Sequence, residues 1–254
     1  MEVIMRETVV KQFQDPLTLW ENANNIRDKA KRDEFQNGKE VHVWYAPLNN
    51  SIEVFNELSA KEKLKASKFR SSRDQQRYIR SHGILRRILA AYVNCEPCEI
   101  SFQTTEYGKP FLTNGGREVH FNMSHSNEIA AYAVSKNHEL GIDIEHIDHD
   151  LDWFSIAKFA FSQEENDLLE SLSNDQQIKA FYSLWTRKEA LLKARGTGLS
   201  EIETMSGKEF NSVKRKYLLS TFSCGGSYQG ALAVNNHNQM INYYQVPCLN
   251  YVFY

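Results

Sequence analysis

Gly141-Ile142-Asp143-Ile144-Glu145 alternates apolar and acidic residues, and about forty residues later Trp185-Thr186-Arg187-Lys188-Glu189-Ala190-Leu191-Leu192-Lys193 carries charges at helical spacing. Successive side chains of a strand point to opposite faces, so Asp143 and Glu145 share one face while Ile142 and Ile144 anchor the other in a core. Residues four apart on a helix are neighbours, which sets Glu189 one turn from Lys193, with Phe181, Leu184, Trp185, Leu191 and Leu192 as the apolar stripe. Either motif alone also fits a plainer structure, a solvated strand face or a routine Glu/Lys surface pair. Together, three carboxylates beside an ammonium group suit a hard divalent cation and a phosphate. Mg²⁺ takes oxygen ligands in near-octahedral geometry and usually keeps waters, so two or three carboxylates and a diphosphate oxygen would complete its shell.

Working outward, residues 1 to about 40 are polar and highly charged and read as a variable extension. Val41-His42-Val43-Trp44-Tyr45 alternates like a strand, followed by a break at Pro47 and Asn49-Asn50. Ser59 is a helix cap for a segment running through Lys65, and a second helix is predicted over Arg73 to Tyr92, where Ile79, Ile84, Leu85, Ile88 and Leu89 are apolar. Ile100 to Thr104 and Val119 to Met123 read as strands around a Lys109-Pro110 turn. The order then repeats: a strand pair (Ala130–Val134 and Gly141–Glu145), a helix beginning near Ser162, a longer helix from Gln176 to Arg195, and closing strands. Ser59 to Leu85 and Ser162 to Lys188 have the same separation, which fits a duplication. The reading is two similar α+β halves, 41–130 carrying the basic helix and 131–254 carrying the carboxylates and their helix.

The 254 residues are 41% hydrophobic and 24% charged, ordinary for a chain able to bury a sizeable core. No uninterrupted apolar run is long enough to span a bilayer, and the N-terminus lacks the basic-then-apolar pattern of a secretory signal, so the chain reads as cytoplasmic. Cys95-Glu96-Pro97-Cys98 has redox or half-zinc spacing, but Cys224 and Cys248 supply no second pair, and a loop with two free thiols is the reading taken. The net charge of −2 hides a segregation: ten Lys/Arg against two acids between Ser59 and Ala90, then six acids without a cation from Glu139 to Asp152. Overall acidity and the lack of an aromatic-rich binding motif argue against nucleic acid. His146 and His149 beside the acids raise a transition-metal site, but strand alternation turns His146 away from Asp143 and Glu145.

Five segments, in order, carry a resemblance: Tyr107-Gly108-Lys109-Pro110, Phe121-Asn122-Met123-Ser124-His125-Ser126, Gly141 to Glu145, Phe161-Ser162-Gln163-Glu164-Glu165, and Trp185 to Leu199. The chain resembles the 4′-phosphopantetheinyl transferases of the surfactin-synthetase-activating type over most of residues 41 to 254. That resemblance implies an α+β pseudodimer with coenzyme A in the cleft between its halves. It also implies Mg²⁺-dependent transfer of phosphopantetheine to a serine of an apo carrier protein, leaving adenosine 3′,5′-bisphosphate. Asp143, Glu145 and Glu189 would take the metal roles, Lys193 would touch the diphosphate, and Glu189 would accept the serine proton, with Glu165 a second catalytic candidate or a partner for a lysine. Lys65 and Arg77 would contact the nucleotide phosphates, Ser124 and His125 a phosphate, and Lys109 the adenine and phosphate region. Because both sides of the cleft lie in one chain, a monomer is expected. A noncatalytic module binding coenzyme A or a carrier protein, and a metal-dependent nucleotide hydrolase, are the alternatives.

Overall fold

Two helices of 22 residues each, Ser72–Val93 and Asn174–Arg195, are the frames of the two halves. The computed structural model describes residues 20–22, 25–49, 52–114, 118–198, 212–213 and 215–246, and every element below belongs to them. In chain order these are β1 (Trp20–Asn22), α1 (Ile26–Ala30), α2 (Asp33–Gln36), β2 (Glu40–Pro47), α3 (Ala60–Ala66), α4 (Ser72–Val93), β3 (Phe102–Thr104), β4 (Pro110–Leu112), β5 (Val119–Ser126), β6 (Ile129–Lys136) and β7 (Leu140–His146). They continue with α5 (Trp153–Ala160), α6 (Gln163–Glu170), α7 (Asn174–Arg195), β8 (Leu218–Cys224), β9 (Tyr228–Val234) and β10 (Met240–Gln245).

The repetition has a local physical basis. Short helices α3 and α6 each open with a reciprocal capping box, Ser59 with Glu62 and Ser162 with Glu165, which satisfies backbone N–H groups that the first helical turn leaves unpaired. The capping glutamate then reaches the long helix of its own half. Arg86 Nε donates to Glu62 Oε2 at 2.8 Å in the first half, and Lys188 Nζ to Glu165 Oε2 at 2.8 Å in the second. Helices α4 and α7 both end on a left-handed residue, Asn94 at φ 54° and Gly196 at φ 71°, conformations that Asn and Gly adopt at low cost. The molecule is thus an α+β pseudodimer.

A five-stranded sheet, in the order β1-β10-β2-β6-β5, backs the first half, and a three-stranded antiparallel sheet, β7-β9-β8, backs the second. Trp44, Tyr132, Ile84, Ile88 and Phe35 fill the first core, and Phe181, Leu191, Ala190 and Leu169 the second. A third apolar cluster joins the sheets: Val41, Val43, Ala131 and Ala133 pack with Ile142, Ile144, Leu232 and Val234. Ile142 and Ile144 are therefore buried in the seam, which directs Asp143 and Glu145 the other way.

Several sequence expectations need correction. Ala130–Val134 and Gly141–Glu145 do not pair: β6 is hydrogen-bonded to β2 and β5, and β7 to β9. The division at residue 130 cuts β6 just after its start, and that strand belongs along its length to the first sheet. From the other end of the chain, β10 runs parallel between β1 and β2, so it also lies in the first half's sheet. Within the stretch read as a variable extension, Ile26, Ala30 and Phe35 are buried in the first core. Pro110 opens β4, and the turn before it uses Gly108 at φ +84°. Cys95, Cys98 and Cys224 are free thiols, while Cys248, Leu199 and Asn50 lie outside the described residues. Among the described residues no helix is long and apolar enough to cross a membrane.

Candidate active site

Strands β5 and β7 face each other across the seam without a backbone ladder, and side chains bridge them instead. Asn122, Ser124 and Ser126 alternate onto one face of β5. Asn122 Oδ1 accepts from Ile142 N at 2.9 Å and Ser126 Oγ from His146 N at 3.1 Å, which satisfies the open edge of β7. Between them Ser124 Oγ donates to Asp143 Oδ1 at 2.9 Å, and Ser126 Oγ to Glu145 Oε2 at 2.7 Å. Helix α7 closes the third side. Its Lys193 Nζ donates to Asp143 Oδ1 at 2.6 Å and to Ser124 Oγ at 3.1 Å, and Glu189 lies one turn earlier.

Asp143 is only 2% exposed, and its second oxygen, Oδ2, has no hydrogen-bond partner among the described residues. Burial and then the charge of Asp143 push the Glu189 carboxyl up to about 7, against a smaller opposing pull from Lys193. The Glu145 carboxyl is raised by the same two causes in the same order. Two carboxyls raised by burial and by the charge of Asp143, together with an orphaned buried oxygen on Asp143 itself, lack positive charge. Among the described residues no three His, Cys, Asp or Glu side chains are drawn into a ready metal cage, and the Lys193 ammonium holds Asp143 Oδ1. The donor set is nonetheless all hard oxygen and fits a divalent cation of the Mg²⁺ kind, with Asp143 Oδ2, Glu145 and Glu189 as its holders. His146 packs edge-on against Tyr228, and His149 is exposed.

A cleft of about 230 Å³ opens beside this cluster between the Tyr107–Pro110 loop, Asn122 and the end of α7 at Glu189, Lys193 and Gly196. The expected phosphate contacts divide. His125 is exposed, and its pKa is lowered by burial and then by Lys193, Arg77 and Lys65, which places an imidazole in a neighbourhood of three cations. Lys65 is exposed, with its ammonium over the Tyr78 ring at 5.0 Å. Arg77 is already engaged: Nη2 donates to Asn127 Oδ1 and Glu128 Oε1, both at 2.6 Å, and Arg73 shares that carboxylate. Ser124 is bonded to Asp143 and Lys193, on the carboxylate side of the site.

Two expected site residues have other partners. Glu165 accepts from Ser162 N and from the buried Lys188, both at 2.8 Å, and no bond from it to Asp143, Glu145 or Glu189 occurs among the described residues. Lys109 lines the cleft and is half-buried, and its ammonium is engaged by two carbonyls, donating to Leu140 O at 3.0 Å and Ala194 O at 2.8 Å. Sequence reasoning passed over Asn122 and Ser126, although they continue the alternation of Ser124. It also missed Glu128 and Arg86, whereas the lysine partner expected for Glu165 is found in Lys188.

A duplicated α+β fold with an acidic, lysine-bearing cleft at the seam defines a class of phosphate-handling proteins, and comparison with known sequences narrows it. The model of the 4′-phosphopantetheinyl transferase superfamily matches residues 139–235, and that of the 4′-phosphopantetheinyl transferase N-terminal region matches residues 43–137. The chain is 37% identical over 170 residues to the 4′-phosphopantetheinyl transferase HetI of Nostoc sp., covering 65% of this chain and 72% of that relative. It is 36% identical over 165 residues to the 4′-phosphopantetheinyl transferase gsp of Aneurinibacillus migulanus, covering 63% and 67%. To the 4′-phosphopantetheinyl transferase Sfp of Bacillus subtilis it is 32% identical over 143 residues, covering 56% and 62%. The chain belongs to the 4′-phosphopantetheinyl transferase family.

Proposed function

We propose that this protein transfers the 4′-phosphopantetheine group of coenzyme A to a serine of an apo carrier protein, with Mg²⁺, as a cytoplasmic monomer. The products are the holo carrier protein and adenosine 3′,5′-bisphosphate. The observation that carries the reading is the seam cluster: Asp143, Glu145 and Glu189 crowded together, Asp143 Oδ2 unpartnered, and Lys193 beside them. Bound there, a divalent cation would screen the carboxylates and offset charge on the diphosphate.

The chain's own residues supply the rest. The serine oxygen attacks the phosphorus that carries pantetheine, and the bond from that phosphorus to the oxygen of the adenosine 5′-phosphate breaks. Negative charge grows on the departing phosphate, and the Lys193 ammonium, which lines the cleft, would stabilise it. The serine proton needs an acceptor. Glu189, one helical turn before Lys193 on the cleft wall, is the candidate. The cations Lys65 and Arg77, with His125 beside them, would receive the 3′-phosphate of coenzyme A, Arg77 exchanging part of its contact with Glu128 for it. Both walls of the cleft come from one chain, which supports a monomer.

The test is intact-mass measurement of several apo carrier proteins after incubation with coenzyme A, Mg²⁺ and this protein. A gain of one phosphopantetheine, absent from the serine-to-alanine carrier, is the expected result. A gain that persists on the alanine carrier refutes the transferase reading. Coenzyme A binding without modification of any carrier favours a noncatalytic module, and breakdown of coenzyme A without a carrier favours a hydrolase.

A further inference from the structure

The short loop between β3 and β4 is built to hold one side chain still. Thr105 N donates to Lys109 O at 2.9 Å, Gly108 N to Thr105 O at 2.9 Å, and Lys109 N to the Thr105 hydroxyl at 3.1 Å, with Gly108 in the left-handed region. From this loop Lys109 passes along Gly196, its Cδ 3.2 Å from where a β-carbon would stand there, and ends between Leu140 O and Ala194 O. Leu140 is the first residue of β7, and Ala194 lies in the last turn of α7. Carbonyls of a helix's last turn have no partner within the helix and carry its negative dipole end, so an ammonium there is favourable on both counts. At the same place the strand and helix touch directly: a β-carbon on Gly141 would overlap Ala190 O and the Ala194 backbone nitrogen.

We infer that Lys109 is a positioning residue, a clamp from the first half that fixes β7 against α7 and thereby sets Asp143 and Glu145 relative to Glu189 and Lys193. The inference rests on the transferase reading above and gives one of its motif residues a role other than ligand contact. The bonded carbonyls adjoin the working groups: Leu140 is three residues before Asp143, and Ala194 directly follows Lys193. The clamp also joins the loop that lines the cleft to the wall bearing the carboxylates. Burial, which lowers the Lys109 pKa to about 8, agrees with an ammonium withdrawn from solvent rather than one waiting for a phosphate.

The experiment replaces Lys109 by Cys and then restores an ammonium at nearly the same reach by aminoethylation of the thiol, with treated wild type as the control for the other cysteines. Binding of adenosine 3′,5′-bisphosphate is measured by calorimetry and kcat at saturating coenzyme A and carrier. A clamp predicts that Lys109→Cys binds the bisphosphate within about threefold of wild type while kcat falls by about tenfold or more, because small misplacement of catalytic groups is costly. Aminoethylation should recover most of the lost kcat. Weakened binding with unchanged kcat would make Lys109 a ligand contact and overturn the inference, as would an unchanged variant or a failed rescue beside active treated wild type. Lys109→Gln, which keeps an amide donor, is measured for the same split if Lys109→Cys does not fold. The wild-type control separates the two readings: no transfer by wild type defeats the transferase reading and this inference with it, whereas full transfer by the variant beside active wild type defeats this inference alone.

Discussion

Replacing Glu165 by Gln separates a structural from a catalytic role for that residue. Its carboxylate pairs at 2.8 Å with Lys188, whose side chain is 2% exposed, and the same oxygen caps α6 through Ser162 N. Glutamine keeps the shape and can still accept from Ser162, so the substitution chiefly removes the charge facing a buried ammonium. Losing one partner of a buried pair costs about 3–5 kcal/mol. The Glu165 side chain is 20% exposed, which favours the lower end, and at about 2–4 °C per kcal/mol for a chain of this size the melting temperature should fall by about 6–12 °C. Glu62→Gln, facing Arg86 in the first half, should behave alike, since that pair repeats the geometry at 2.8 Å. Thermal unfolding followed by circular dichroism gives the stability, and carrier modification well below the transition gives kcat, expected within about threefold of wild type. A double-mutant cycle with Lys188→Met isolates the pairing energy. An unchanged melting temperature together with a fall in kcat of about a hundredfold would refute this account and return Glu165 to the catalytic set.

Asp143→Ala should abolish transfer while the protein stays folded, and chelation of divalent metal should do the same to wild type; full turnover in excess chelator would remove the metal assignment. Gly141→Ala should destabilise the fold by about 1–3 kcal/mol or more and lose activity, since the added methyl overlaps the α7 backbone; a variant with wild-type stability and turnover would contradict that close approach. Acid should weaken the first half through His42, which is 0% exposed, donates or accepts at Tyr92 and Glu40, and is held down to about 4 mainly by burial. Its folded pKa lies below the unfolded value near 6.5, so the unfolded chain binds the extra proton, and stability present above pH 6.5 is lost as pH falls towards 4, by about 3 kcal/mol in full. Urea midpoints at neutral pH and at about pH 5 should differ less in His42→Gln than in wild type; equal pH dependence would rule His42 out.

What the sequence made legible was whatever local rules govern. Ser59 and Ser162 marked two helix starts, the apolar spacing of Ile84, Leu85, Ile88 and Leu89 marked α4, and the alternation through Ile142 and Ile144 turned Asp143 and Glu145 to one side. Strand pairing was not legible in the same way. Residues 130–134 and 141–145 are close in sequence, the first a continuous apolar run and the second alternating, but the choice of partner is made by sheet packing, and each strand found another. The partners of Lys109 and Arg77 were illegible for a related reason. Composition marks a lysine or arginine as a cation in search of an anion, whereas the acceptors used here include the backbone carbonyls of Leu140 and Ala194 and a turn glutamate, Glu128, none of which carries a signal at that distance along the chain.

The place of β10 constrains how the chain reaches this structure. Met240 lies opposite Glu40, and β10 fills the gap between β1 and β2. During synthesis β2, with the apolar Val41 and Val43, therefore keeps an open edge until the ribosome has released Gln245, although α4, β5 and β6 emerged long before. Contacts of such sequence separation are slow to close, and an exposed strand edge in the interval is a point of attachment for other chains. A fragment ending after β6 should for this reason aggregate rather than form a free-standing first half, while restoring β10 next to β2 by circular permutation should let that half fold early.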